Sequence, residues 1–195
     1  DVYKRQGYDV YVTREPTDTK LGNFLREFAE QHSGVSLACM VAADRYEHII
    51  NEIMPALGEG KIVISDRYIL SSLILQEMDG VGTEFILNTN SEIIKPDLQL
   101  AVIADEKILQ ERLSERDVLT RFEKENQSKR ELDFMEKGVR ELRKHNIDIM
   151  NIYNNDNLDE NFAMYYFKFS DGSWNDGDFG KQTDRGGMMF ICEWE

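Results

Sequence analysis

Valines and polar residues alternate along residues 8–13 (YDVYVT), the two-residue period of a half-buried strand, and the segment stops at Arg14, Glu15 and the turn-promoting Pro16. Leu21, Phe24, Leu25 and Phe28 then recur at i, i+3, i+4, i+7, the stripe of an amphipathic helix that Gly34 terminates. From Ser36 a longer apolar set (Leu37, Met40, Val41, Ile49, Ile50, Ile53, Met54, Leu57) predicts a long helix, bent near Pro55 and closed by Gly58 and Gly60. Residues 61–65 (KIVIS) and 98–104 (LQLAVIA) are short continuous apolar runs, as in strands covered on both faces. Helices are expected over 105–116 and 128–144, the second interrupted by Gly138, and a short strand over 148–153. Strands alternating with helices of more than about ten residues imply βαβ units, hence an α/β fold with a parallel sheet flanked by helices.

Composition narrows the partners. The chain has 195 residues, 41% hydrophobic, enough for one domain with a core. With 37 acidic against 23 basic residues the net charge is −14, which disfavours general binding to nucleic-acid backbones. An anionic ligand must therefore be gripped by a few locally placed arginines. No apolar run is long enough to cross a bilayer, and the start lacks a signal-peptide layout. Cys39 and Cys192 have no His or Cys at metal-ligand spacing and form no disulfide framework, so Cys39 reads as a buried thiol. The chain opens at Asp1 rather than Met and residues 1–6 carry no usable pattern, as a fragment would.

The chemistry gathers where residues 63–76 (VISDRYILSSLILQ) pass from an apolar strand into Asp66 and Arg67. In open parallel sheets ligands sit beyond the carboxyl ends of the strands. An Asp there can hold magnesium directly or through water, and Arg offers a planar fork to phosphate oxygens. Arg14 follows the preceding strand and projects at the same edge. A salt bridge that merely caps the sheet is the competing reading of the same pair.

The company the pair keeps favours the site. T-R-E-P (13–16), A-A-D-R (42–45), D-R-Y-x-x-S-S-x-x-x-Q (66–76), K-P-D-L (95–98) and R-F-E (121–123) stand in an order and spacing that resemble thymidylate kinase over residues 7–153. The resemblance implies transfer of the γ-phosphoryl of ATP, with Mg2+, to the 5′-phosphate of thymidine monophosphate in a cytoplasmic homodimer. Arg67 and Arg14 would hold the acceptor phosphate and Asp66 the magnesium. Arg45 would reach the polar edge of the pyrimidine, with Ser72 and Gln76 lining the base pocket. Arg112, Arg116 and Arg121 fall on or near the family's lid, where cations stabilise charge on the transferring group, although Glu111, Glu115 and Glu123 also fit a solvated helix face around Arg112.

Two positions depart from the family: Val41 stands where an aromatic stacks on the base, and Leu75 where a tyrosine precedes Gln76. A kinase for another nucleoside monophosphate is therefore a second reading. No G-x-x-x-x-G-K-[ST] occurs in the chain, so the 195-residue polypeptide is expected to be inactive, and a sheet without its central strand to present unpaired edges. After residue 164 the style changes. Residues 165–195 are expected to be an unrelated tail, either disordered or a fragment resembling the end of a bacterial C-type lectin-like domain, joined by accident near residues 163–169. That second resemblance implies calcium or carbohydrate binding through Asn175 and Asp176, and leaves Cys192 without its partner.

Overall fold

The structure, a computed structural model, describes residues 8–114, 128–155 and 188–194. In chain order the elements are β1 (Val10–Arg14), α1 (Lys20–Ala29), α2 (Val35–His48), one π turn (Ile49–Ile53), α3 (Met54–Gly58), β2 (Ile62–Asp66), α4 (Ile69–Met78), α5 (Thr83–Thr89), β3 (Leu98–Ile103), α6 (Glu106–Ser114), α7 (Ser128–Lys144), β4 (Ile149–Tyr153) and β5 (Met188–Trp194). All five strands pair in parallel, in the order β1-β2-β5-β3-β4. No helix among the described residues is long and apolar enough to cross a membrane.

The expected α/β architecture is present, with α7 over the 17 residues its period outlines. The expected bend at Pro55 takes the form of the π turn. Proline has no N–H to give the carbonyl four residues back, and the Met54 N–H bonds instead to the Ile49 carbonyl. Past α3, Gly60 adopts φ +78° and its N–H returns to the Leu57 carbonyl, turning the chain into β2.

The amphipathic stripe of α1 is met in part. Leu25 is buried, but Phe24 is 54% exposed, because Gly22 takes the packed position instead. A Cβ at Gly22 would lie 2.0 Å from the Thr17 carbonyl oxygen, so the helix approaches that loop as closely as it can. Gly22→Ala, which in an open helix would stabilise by about 1 kcal/mol, is therefore expected to destabilise, with a lowered urea midpoint; an unchanged or raised midpoint would refute the close approach. Cys39 is exposed rather than buried, since α2 turns Leu37, Ala38 and Ala42 toward the core and Cys39 away from it.

The main core joins Ile53, Leu57, Leu70, Leu73, Met135, Val139 and Leu142 of the helical layer to Val63, Ala101 and Ile149 of the sheet. Gly138, which interrupts the helical pattern of α7, lets that helix seat on α4: a Cβ there would meet Leu70 Cδ1 at 2.8 Å. Val10, Ile62 and Leu98 form a second, smaller cluster made of strand residues.

The unpaired central edges expected from the sequence are not present among the described residues. β5 lies between β2 and β3, with Ile62–Asp66 registered on Met188–Cys192 and Leu98–Val102 on Phe190–Trp194. The physical reason is visible in MMFICEW, an apolar, β-prone run that can satisfy a ladder on each side. Residues 188–194 thus belong to the sheet, whereas Asn175 and Asp176 lie outside the described residues.

Candidate active site

β1 and β2 end in step, so that Arg14 and Asp66 are direct register partners at the carboxyl edge, and the Glu15 N–H bonds to the Asp66 carbonyl at 2.9 Å. The sequence T-R-E-P then turns through a cis Glu15–Pro16 bond. On the neighbouring strand the backbone leaves β2 by a left-handed residue, Arg67, at φ +69°. A long side chain seldom adopts that conformation, and such strain collects at functional sites. The Ser65 hydroxyl donates to the Arg67 carbonyl at 3.0 Å and holds the turn.

Asp66 Oδ1 is buried with no hydrogen-bond partner among the described residues. Burial pushes its carboxyl above the usual range, against the opposing pull of Arg67 and Arg14. A carboxylate oxygen left open beside two guanidinium groups is a fit place for one ligand to a hard cation such as Mg2+, whose remaining positions go to phosphate oxygens and water. No group of three or more acidic, His or Cys side chains suited to a metal occurs among the described residues, so Asp66 would be the main protein contribution.

From this rim a cavity of ≈ 600 Å³ runs inward, walled by Pro16, Leu25, Leu37, Val41 and Leu75 on its apolar side and by Arg26, Arg45, Arg67, Ser72 and Gln76 on its polar side. Ser72 and Gln76 are one helical turn apart on α4, which is why both reach it. Gln76 is 5% exposed and its Oε1 is a buried acceptor with no hydrogen-bond partner among the described residues. Val41 and Leu75, the two departures from the family pattern, both line the cavity, so its wall is aliphatic where a ring was expected.

Arg45 is more constrained than the sequence suggests. It is 1% exposed and donates to Glu15 Oε2 (2.8 Å), Asn90 Oδ1 (2.7 Å), the Tyr68 carbonyl (2.9 Å) and Ser72 Oγ (3.0 Å), with its guanidinium 5.2 Å from the Tyr68 ring centroid. Arg14 is not among the cavity's lining residues, and its guanidinium pairs with Asp18 at 2.6 Å. Arg112 sits on α6 and is not among the cavity's lining residues. Arg116 and Arg121 lie outside the described residues.

Two residues were missed by sequence reasoning. Glu15 is buried and lines the cavity, and Arg26 clamps the turn by donating to the Pro16 and Thr17 carbonyls. The signal for Arg26 was its place one residue past Leu25, on the edge of the apolar stripe; Glu15 gave none beyond its motif.

A family model described as thymidylate kinase matches residues 1–164. A probable thymidylate kinase of Caldivirga maquilingensis is 37% identical over 162 residues, 80% of this chain and 78% of that one. A second, from Thermococcus onnurineus, is 37% identical over 133 residues, 63% of this chain and 65% of its own length. The thymidylate kinase of Caldicellulosiruptor saccharolyticus is 42% identical over 118 residues, 56% of this chain and 57% of its own, so the chain spans under two thirds of these last two. A crystal structure of thymidylate kinase from Ehrlichia chaffeensis shares the fold, with a TM-score of 0.61 at 24% identity over 86% of this chain and 85% of that one.

Proposed function

Since the chain belongs to the thymidylate kinase family, we propose that it carries the acceptor half of a site that moves the γ-phosphoryl group of ATP to thymidine monophosphate. The observation that carries this reading is one cavity with Arg67 at its strand end and the unpartnered Gln76 Oε1 in its wall. A nucleoside monophosphate has that polarity: a phosphate at one end, a base with N–H donors at the other. Arg67 grips the phosphate with its fork, and Arg14 joins it by leaving Asp18. The base lies between Val41 and Leu75, its edge read by Gln76, Ser72 and Arg45. Asp66 would hold Mg2+, which would supply charge neutralisation to the phosphate groups.

In the transfer, an oxygen of the acceptor phosphate forms a bond to the γ-phosphorus as the bond from that phosphorus to the β–γ bridging oxygen breaks. The products are thymidine diphosphate and ADP. The residues here position the acceptor and balance charge, which is most of what phosphoryl transfer requires. Arg121, with Arg112 and Arg116, would add positive charge around the transferring group. With no G-x-x-x-x-G-K-[ST] in the chain, turnover by the 195-residue polypeptide is expected to be negligible while acceptor binding persists. The cytoplasmic homodimer implied by the resemblance is part of the same reading. The aliphatic wall at Val41 and Leu75 favours one alternative, a kinase for another deoxynucleoside monophosphate.

Calorimetry with thymidine, deoxycytidine and deoxyguanosine monophosphates tests this. Thymidine monophosphate is expected to bind best. Arg67→Ala should weaken it about tenfold to a hundredfold, the worth of a charge-assisted hydrogen bond of about 1.5–3 kcal/mol. Equal binding by the variant would reject the phosphate role, and preference for another base would replace the substrate.

A further inference from the structure

We infer that Glu15 is a positioning residue for the nucleotide pocket: backed by His48, it holds the Arg45 guanidinium in one orientation with a single N–H left for a ligand. This deepens the proposed function and rests on it. Glu15 uses its two carboxylate oxygens on two different partners. Oε2 accepts from Arg45 Nε at 2.8 Å, and Oε1 lies 3.2 Å from His48 Nδ1. Arg45 and His48 are i and i+3 on α2, so one helical face presents both to the same carboxylate.

The other side of the imidazole is also anchored. His48 Nε2 is 2.8 Å from Thr13 Oγ1, the Thr13 hydroxyl donates to Glu52 Oε2 at 3.0 Å, and the Tyr11 hydroxyl donates to the same oxygen at 2.8 Å. The groups that face Glu15 are thus Arg45 and His48, and behind them stand Glu52, Thr13 and Tyr11. The chain of contacts runs from β1 through α2 to the cavity wall. Meanwhile the Glu15 N–H is bonded to the Asp66 carbonyl, so one residue ties the base pocket to the rim that carries Asp66 and Arg67.

Donor counting turns this arrangement into selectivity. A guanidinium has five N–H groups. Nε–H is taken by Glu15, one Nη1–H by Asn90, and both Nη2–H by the Tyr68 carbonyl and Ser72. One Nη1–H remains. A buried ion pair of this kind contributes little net stability compared with an apolar replacement, so its clearest use is to fix geometry. With Glu15 in place, Arg45 offers a base one donor at one position and rejects an edge that needs two.

The test uses the full chain, labelled with 15N. In the wild type the Arg45 Nε–H resonance is expected to exchange slowly with water, and thymidine monophosphate to bind. Glu15→Gln has one amide oxygen to share between two donors, and should lose the slow Nε–H signal together with at least tenfold in affinity. His48→Gln should cost about threefold, through Glu15. A merely structural role would leave the guanidinium signal and the affinity alone once folding is verified by circular dichroism. If Glu15→Gln does not fold, His48→Gln carries the same two readouts. Wild-type binding with unaltered affinity and signal in the folded variants overturns the positioning role alone; a wild type that binds no thymidine monophosphate overturns the proposed function and this role with it.

Discussion

Replacing Arg45 with Leu is expected to lower the free energy of unfolding by about 3–5 kcal/mol, the usual cost of removing one partner from a buried ion pair. The reason is what the change leaves behind. The Glu15 carboxylate would keep its burial and lose its cation, and Asn90 Oδ1 and the Tyr68 carbonyl would each lose a donor in the same stroke. Leucine restores some packed volume but none of these bonds. Urea denaturation followed by circular dichroism measures the effect, with the midpoint falling at constant slope. The pair Arg45→Leu with Glu15→Leu is the informative companion: with both charges gone it should recover much of the loss, because an apolar pair avoids the desolvation cost. A single substitution costing under about 1 kcal/mol would mean that water, not the fold, surrounds the guanidinium.

Removing residues 188–195 is expected to abolish cooperative folding. β2 and β3 share no ladder with each other; each is paired with β5, five residues on either side. Without that strand the sheet becomes two separate ribbons, β1-β2 and β3-β4, each exposing an inner edge of free N–H and C=O groups. Such edges are templates for aggregation, and two-stranded ribbons are marginal alone. A gentler variant, Ile191→Pro, deletes one N–H from a strand flanked on both sides and should cost about 3 kcal/mol or more. Hydrogen exchange reads the result directly: protection of the β2 and β3 amides should collapse in both variants. Retention of the wild-type urea midpoint in the truncated chain would show that the sheet does not depend on β5.

Sequence and structure agree most closely where the signal is local. The period of α7, the apolar runs of β2 and β3 and the alternation in β1 each depend on neighbours within a turn or two, and each element appears at or near its expected bounds. The edge of the sheet at which Asp66 and Arg67 emerge was readable for the same reason. A charged pair at the end of a buried strand must emerge at the carboxyl edge, so Asp66 and Arg67 lie where open parallel sheets bind ligands.

The failures have one cause, competition between positions that look equivalent along the chain. Phe24 is as apolar as Leu25, yet Gly22 lets α1 sit on the Thr17 carbonyl and the phenyl ring is left outside. Cys39 lies beside buried Ala38 but faces away because the helix has only one covered side. α4 and α5 carry a run of mixed apolar and polar residues whose period is masked, since α4 is buried on several sides against α7 and the cavity.

By itself, then, the sequence determined the alternation of strands and helices, the family, and the edge at which Asp66, Arg67 and Arg14 emerge, because backbone periodicity and strand direction are local properties. Only the tertiary structure decided that Arg14 turns to Asp18, that Arg45 is pinned by Glu15 and Asn90, and that residues 188–194 close the centre of the sheet. The last two join residues 30 to more than 120 positions apart, where long-range burial and the need to pair every buried donor and charge choose among arrangements that local pattern leaves equal, and even the short Arg14–Asp18 contact depends on how the turn after β1 is folded.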